Sequence, residues 1–251
     1  VAPRPLLSSC CPRAVAVMSL PLFDSPSAIV HQSLDRGQLE QFQAQSDGPL
    51  VFEDCAFDDV DLEGIELRGA TFRRCTFVGA RVVRAVLTGS TWQRCRAAGA
   101  AFELSDLTDA KFDGCDLSNT RWLRTRLSGS AFAEVKLTGA KFTEAQTLGL
   151  SIRESLAVNA DLRGLSFRKQ TVVGLNLSGA DLSGCDFTEA VLVDCDLSDA
   201  SFKNAKFGRA DLRRAKLGAI QVGDLLHHFK GSIISADQAA ELVAGLGVQV
   251  I

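Results

Sequence analysis

The chain has 251 residues, 27 Lys and Arg against 30 Asp and Glu, and 46% hydrophobic residues, a balance that excludes a disordered segment, a collagen and a basic nucleic-acid-binding domain. Its 8 Cys contain no C-x-x-C pair, and a chain this long can bury its own core, which excludes a small disulfide-stapled scaffold. Fifteen Phe and 2 Trp accompany no Tyr and a single Met, so position selects the aromatic residue.

Residues 1–17 hold Pro3, Arg4, Pro5, Cys10, Cys11, Pro12 and Arg13, a poor signal peptide, and are expected to be a disordered lead or an upstream-start artefact. Met18 begins more ordinary sequence. Residues 18–49 are read as an N-terminal cap with a short helix around Leu34–Gln45, its apolar side formed by Leu34, Leu39 and Phe42. No apolar stretch approaches the roughly 20 residues of a membrane-spanning helix, so no membrane association is expected.

From Phe52 onward a five-residue repeat takes over and runs to Val222. Every fifth residue is large and apolar except Ala97, Thr147 and Ala157, and both Trp and every Phe of this region share the phase. Neither a helix nor a strand gives a strict period of five. Two residues before each centre lies a small residue such as Ala70, Cys75, Ala80, Ser90 or Cys95. Two residues after it lies Gly, Asp, Asn, Arg or Glu, as at Gly64, Gly79, Asp109 and Asn119, which suits tight corners with positive φ. Each pentapeptide is therefore one short side of a coil, with two residues in and three out.

A longer period counts the sides. Cys55, Cys75, Cys95 and Cys115 step by 20, with Cys195 on the same series, as do Phe52, Phe72, Trp92, Phe112 and Phe132. Like stacks on like when one residue lies a rung above the other, so four pentapeptides make one turn. Nearly nine turns span residues 50–224, a rod roughly 40 Å long at the strand spacing. The weakest stretch is Ala145–Val158, where an in-frame loop or an imperfect coil would fit equally. The cysteines fill the small inward sites that Ala and Ser fill elsewhere, so they read as packing, and buried reduced thiols point to the cytoplasm.

Residues 225–251 make the other end. Ser235-Ala-Asp-Gln238 is a capping-box pattern, followed at helical spacing by Ala239, Ala240, Leu242, Val243 and Leu246 and closed by Gly245 and Gly247. Val248–Ile251 then alternates as a strand would. Catalytic and metal sites are not expected. His31 and the adjacent His227 and His228 are the only histidines, and no nucleophile elbow, phosphate loop or dinucleotide fingerprint occurs. No cofactor is implied. An ice-binding Thr ladder is ruled out because Lys111 follows Thr71 and Thr91 in the row.

Runs such as Ala180-Asp181-Leu182-Ser183-Gly184, Cys185-Asp186-Phe187-Thr188-Glu189 and Ala210-Asp211-Leu212-Arg213-Arg214 resemble the pentapeptide repeat family. That resemblance implies an all-β solenoid, a right-handed quadrilateral β-helix. Residues Gln238–Ile251 resemble the C-terminal ending of the gyrase-protecting members, the Qnr and MfpA type. It implies a homodimer joined through the C-terminus by Leu242, Leu246, Val248, Val250 and Ile251. It also implies a DNA mimic that occupies the DNA-binding saddle of DNA gyrase, with topoisomerase IV as a second target, without binding nucleic acid itself, and that counters fluoroquinolones or gyrase-poisoning natural products. Acidic contacts for that role are expected at Glu53, Asp54, Asp58, Asp59, Asp61 and Glu63 on the first coil and at Asp181, Asp186, Asp194, Asp196 and Asp199 near the dimer end. Arg68, Arg73, Arg74, Arg81, Arg84, Arg94 and Arg96 cancel much of that charge. This departs from an acidic rod and keeps a second reading in view, a repeat scaffold for an unrelated protein partner.

Overall fold

The computed structural model describes residues 28–250 apart from Ala219, Gln221 and Leu246; the expected lead of residues 1–17 and the start of the N-terminal cap lie outside them. The chain forms β1 (Ile29–Val30), α1 (Arg36–Gln45), β2 (Val51–Glu53), β3 (Thr71–Arg73), β4 (Thr91–Gln93), β5 (Lys111–Asp113), β6 (Ala131–Ala133), β7 (Ser151–Arg153), β8 (Thr171–Val173), β9 (Val191–Asp196), β10 (Asp211–Lys216), α2 (Val222–His228) and α3 (Ala236–Ala244). From β2 to β7 each strand pairs in parallel with the next at a step of 20 residues, Phe52 opposite Phe72, Phe72 opposite Trp92, Trp92 opposite Phe112. Single parallel bridges such as Asp61 to Arg81 and Glu66 to Val86 continue the ladder around the other sides. The result is a parallel β-solenoid of about nine turns.

Local geometry follows the pentapeptide pattern. At Phe57–Val60 the Val60 N–H donates to the Phe57 carbonyl over 3.3 Å, and Asp59 at the third position of the turn has φ +57°, the signature of a type II turn. Centres stack along the axis. Phe52 and Phe72 rings lie 5.3 Å apart at 7°, Phe102 and Trp122 4.4 Å apart at 7°, and Phe187 and Phe207 4.7 Å apart at 3°. All are fully buried, so the aromatic columns are the core.

The two ends depart from the frame read in the sequence. At the N-terminus a partial rung precedes Phe52. Ile29 pairs with Phe52, Ser33 bridges Ala56, and the Leu34 N–H donates to the Ala56 carbonyl over 2.9 Å. Leu34 thus belongs to the coil, and the helix begins after it, at Arg36, behind an Asp35/Gln38 capping box. At the C-terminus the regular repeat ends at buried Leu217, because Val222 opens α2 where the frame expects an inward coil centre. The coil resumes two residues out of phase. Phe229 stacks on Phe207 at 4.4 Å and 7°, and Ile233 bridges Asp211.

Helix α3 starts at Ser235 with the expected capping box to Gln238. Residues 248–250 form no strand, which corrects the alternating reading of the tail. Ala145–Val158 keeps the frame and contributes β7, so it is an imperfect coil and not a projecting loop. No helix among the described residues is long and apolar enough to cross a membrane.

Candidate interaction surface

Because three residues of every pentapeptide point outward, the surface consists of columns in which residues 20 apart are neighbours. Opposite charges occupy many of these steps. Arg74 Nη2 lies 2.5 Å from Glu53 Oε1 and 2.7 Å from Asp54 Oδ2. Arg81 reaches Asp61 at 2.8 Å and Glu63 at 3.0 Å, and Arg84 reaches Glu63 at 2.6 Å. Asp58 accepts from the Thr76 hydroxyl and the Val78 N–H. At the other end Asp194 pairs with Arg214 at 2.8 Å, Asp196 with Lys216 at 3.1 Å, Asp186 with Arg168 at 3.5 Å and Asp181 with Arg163 at 3.6 Å. Asp59 and Asp199 alone of the expected contacts have neither a cation nor a hydrogen-bond donor on their carboxylates among the described residues.

The register spreads the two acidic clusters around the rod. Glu53 and Asp54 flank the strand side, Asp58 and Asp59 the next side, Asp61 and Glu63 the one after. Asp181, Asp186, Asp194, Asp196 and Asp199 wrap all four sides in the same way. No single side gathers them. Arg74, Arg81 and Arg84 were legible in the sequence as cancelling charge, but not which acid each meets, although the signal was present as opposite charges about one turn apart, 20 residues in Asp54 and Arg74 or Asp194 and Arg214 and 18 in Arg163 and Asp181.

Pairing fixes the ionised state. The hydrogen bond from Arg74 holds the Asp54 carboxyl below its ordinary range and in return pushes the Arg74 guanidinium up. At Asp186 and Asp196 burial pushes the carboxyl up, but hydrogen bonds from Thr188 and Ser198 and the nearby Arg168 and Lys216 outweigh it and the net shift is down.

The remaining chemistry is sparse. Cys55, Cys75, Cys95, Cys115, Cys185 and Cys195 are all buried free thiols; burial pushes Cys185 up to about 12 and raises Cys55 and Cys195 as well, which makes those three poor nucleophiles. Asp224 lies one helical turn before His228, with Oδ1 3.9 Å from Nε2, a carboxylate neighbour that the sequence reading had not assigned to the histidines. No group of three metal-ligating side chains exists among the described residues.

Several apolar side chains are exposed toward the C-terminus: Val248 and Val250 are about half exposed, and Leu226, Ile233 and Val243 are exposed as well. Leu242, expected at a dimer contact, is buried in the apolar core of its own chain, on the same side of α3 as Gln238. Leu246 and Ile251 lie outside the described residues.

A stack of five-residue sides with small and large inward columns defines a pentapeptide-coiled solenoid with no catalytic family indicated. A family model for pentapeptide repeats matches eight copies, over residues 51–89, 93–121, 105–144 and 180–218, and the chain belongs to the pentapeptide repeat family. No curated protein matches it by sequence. Among solved structures, full-length QnrB1, a plasmid-mediated fluoroquinolone resistance protein, is 18% identical over 88% of this chain and 97% of its own, with a TM-score of 0.50. HetL, a pentapeptide repeat protein involved in heterocyst differentiation regulation from the cyanobacterium Nostoc sp., is 19% identical over 75% of this chain and 100% of its own, with a TM-score of 0.41. At these identities the likeness concerns the solenoid fold.

Proposed function

We propose that the protein is a topoisomerase-binding rod that occupies the DNA-binding saddle of DNA gyrase, or of topoisomerase IV, and acts by occupancy and not by chemistry. The observation that carries this reading is the combination of a rod whose five-residue frame holds from Phe52 to Leu217 with exposed apolar residues near its C-terminus, which suits two copies joined end to end in the cytoplasm. The fold shared with QnrB1, itself a fluoroquinolone resistance protein, supports it. Asp59 and Asp199, together with the outer edges of the paired carboxylates, are the acidic groups offered to a basic enzyme surface. The protein then counters fluoroquinolones or gyrase-poisoning natural products by displacing DNA from the poisoned complex.

The internal pairing of most acidic side chains favours a second reading, a scaffold for an unrelated protein partner. The two are separated by gyrase supercoiling and cleavage assays with titrated protein, with and without a fluoroquinolone. Gyrase binding predicts a dose-dependent loss of supercoiling or of drug-induced cleavage; no effect on either assay leaves the scaffold reading.

A further inference from the structure

The ladder that closes the turns of the solenoid is interrupted over two adjoining sides between one pair of turns, the side centred on Thr147 and the strand side that follows it. From Asp54 to Glu189 the corner N–H two residues after each of the other centres donates to the rung above, as Arg124 does to Thr143 over 3.0 Å and Gly129 to Leu148 over 2.9 Å. The centre N–H does the same, as Leu127 does to Gln146 over 2.8 Å. In the next turn Glu144, Thr147 and Gly149 make no such backbone bond, and from above Ser166 and Thr171 make none downward. The same two turns stay bonded on their other sides. Phe142 N–H donates to Asp161 over 2.9 Å, Ala157 to Asn176 over 2.7 Å, and Asn176 to Ser155 over 2.9 Å. Strand pairing stops at the same place, so β1–β7 form one seven-stranded sheet and β8–β10 a separate three-stranded one.

The residues at the gap explain it. In the inward column preceding the strands stand half-buried Leu50 at the capped end, then Ala70, Ser90, Ala110 and Ser130, then Leu150 and Gln170, then Ala190 and Ala210. Two long side chains thus follow one another where the turn has room for a methyl or a hydroxyl. Gln170 Nε2 donates to the Leu150 carbonyl over 3.2 Å, in the place that the Thr171 N–H would fill. Below it the inward centre is Thr147, half-buried and polar, and its neighbour Leu148 is 86% exposed. The wall is therefore held open by a side chain that satisfies one of the carbonyls it separates.

We propose that this seam is a hinge, bonded on two sides and open on the other two. The rungs before and after it tilt about the bonded sides at Phe142–Asp161 and Ala157–Asn176, opening and closing along the two sides that run from Thr147 through β7. Gln170 is the wedge that sets the rest position. A rod with one such hinge adapts its curvature to whatever surface it lies against, so the inference does not depend on which partner the rod binds.

Hydrogen exchange on the full chain tests it. The amides of Glu144, Thr147, Gly149, Ser166 and Thr171 exchange at least roughly tenfold faster than Arg124, Leu127, Gly129, Gln146 and Ser151, their equivalents one turn earlier. Equal protection in the two sets overturns the hinge. Spin labels at Leu148→Cys and Arg168→Cys, across the seam, give a broader distance distribution than labels at Thr138→Cys and Val158→Cys, which span a bonded side. Gln170→Ala narrows the first distribution. Two equally narrow distributions in the unsubstituted background also reject the proposal, whether or not the Gln170→Ala chain folds.

Discussion

Small inward residues do more than leave room. Ser105 accepts the Ala85 N–H over 2.9 Å and donates to the Val82 carbonyl, and Thr125 and Ser130 donate to Phe102 and Leu107, each 23 residues earlier. Cys95, Cys115 and Cys185 place their thiols at the same step, on Phe72, Trp92 and Leu162. The same logic admits Trp and not Tyr. Trp92 Nε1 donates to Ser90 Oγ over 2.9 Å and Trp122 Nε1 to Thr120 Oγ1 over 2.8 Å, hydroxyls two residues back on the same side. A phenolic hydroxyl at the ring tip would project into the stacked core, where no partner waits. Replacing Ser105 by Ala leaves a buried N–H and a carbonyl without this partner and is expected to lower stability by about 1–3 kcal/mol. Urea unfolding checks it, since the midpoint should fall at an unchanged slope; a midpoint within error of the parent would show that these bonds contribute nothing net.

At the scale of elements, the solenoid has to end without leaving backbone edges bare. Both ends use a helix whose side chains serve the last carbonyls. Helix α1 lends Arg36, which donates to the Glu63 carbonyl over 2.6 Å, and Gln43, which donates to that of Glu66. Helix α3 lends Gln238, whose Nε2 donates to the Leu212 and Ala215 carbonyls over 2.7 and 2.6 Å, with Leu242 packed beside it. Because each turn contacts only its neighbours, damage here should stay local. Gln238→Ala is expected to deprotect the amides of β9 and β10 while those of β2 to β5 keep their parental exchange. A uniform loss along the rod would mean that the cap supports the whole fold and not its end.

Over the whole molecule, charge is arranged for neutrality from rung to rung. Exposed pairs of this kind contribute only about 0–1 kcal/mol each, but together they flatten the field that a partner would sense at a distance. On the proposed function, what is left to a partner is shape and the carboxylates of Asp59 and Asp199, unpaired among the described residues, and what is left to a second copy is the exposed apolar residues near the C-terminus. If that end joins two copies, Val248→Asp combined with Val250→Asp halves the mass seen by light scattering while the circular dichroism spectrum stays unchanged. A parent protein that is already monomeric under the same conditions rules out the end-to-end rod.

The five-residue phase and the 20-residue step were legible in the sequence because a coil that turns every five residues buries the same positions in every turn. From Phe52 to Leu217 they determined the number of sides, the aromatic columns and the small inward column. Ser235 and Gln238 announced the last helix for a similarly local reason, since a capping box is closed within four residues. Other features are set by contacts between residues far apart in the chain, and only the tertiary structure decided them. The extra rungs at Ile29 and Phe229 sit at steps of 23 and 22 because helices replace part of a turn. Leu242 turns inward because Gln238 anchors α3 to carbonyls of β10. Asp54 and Asp194 are ion-pair partners and not bare acids because arginines stand one rung above them. The Gln170 seam appears only when the bonds between two turns are followed one by one, since a side chain too long for its slot reveals its effect in the backbone it displaces.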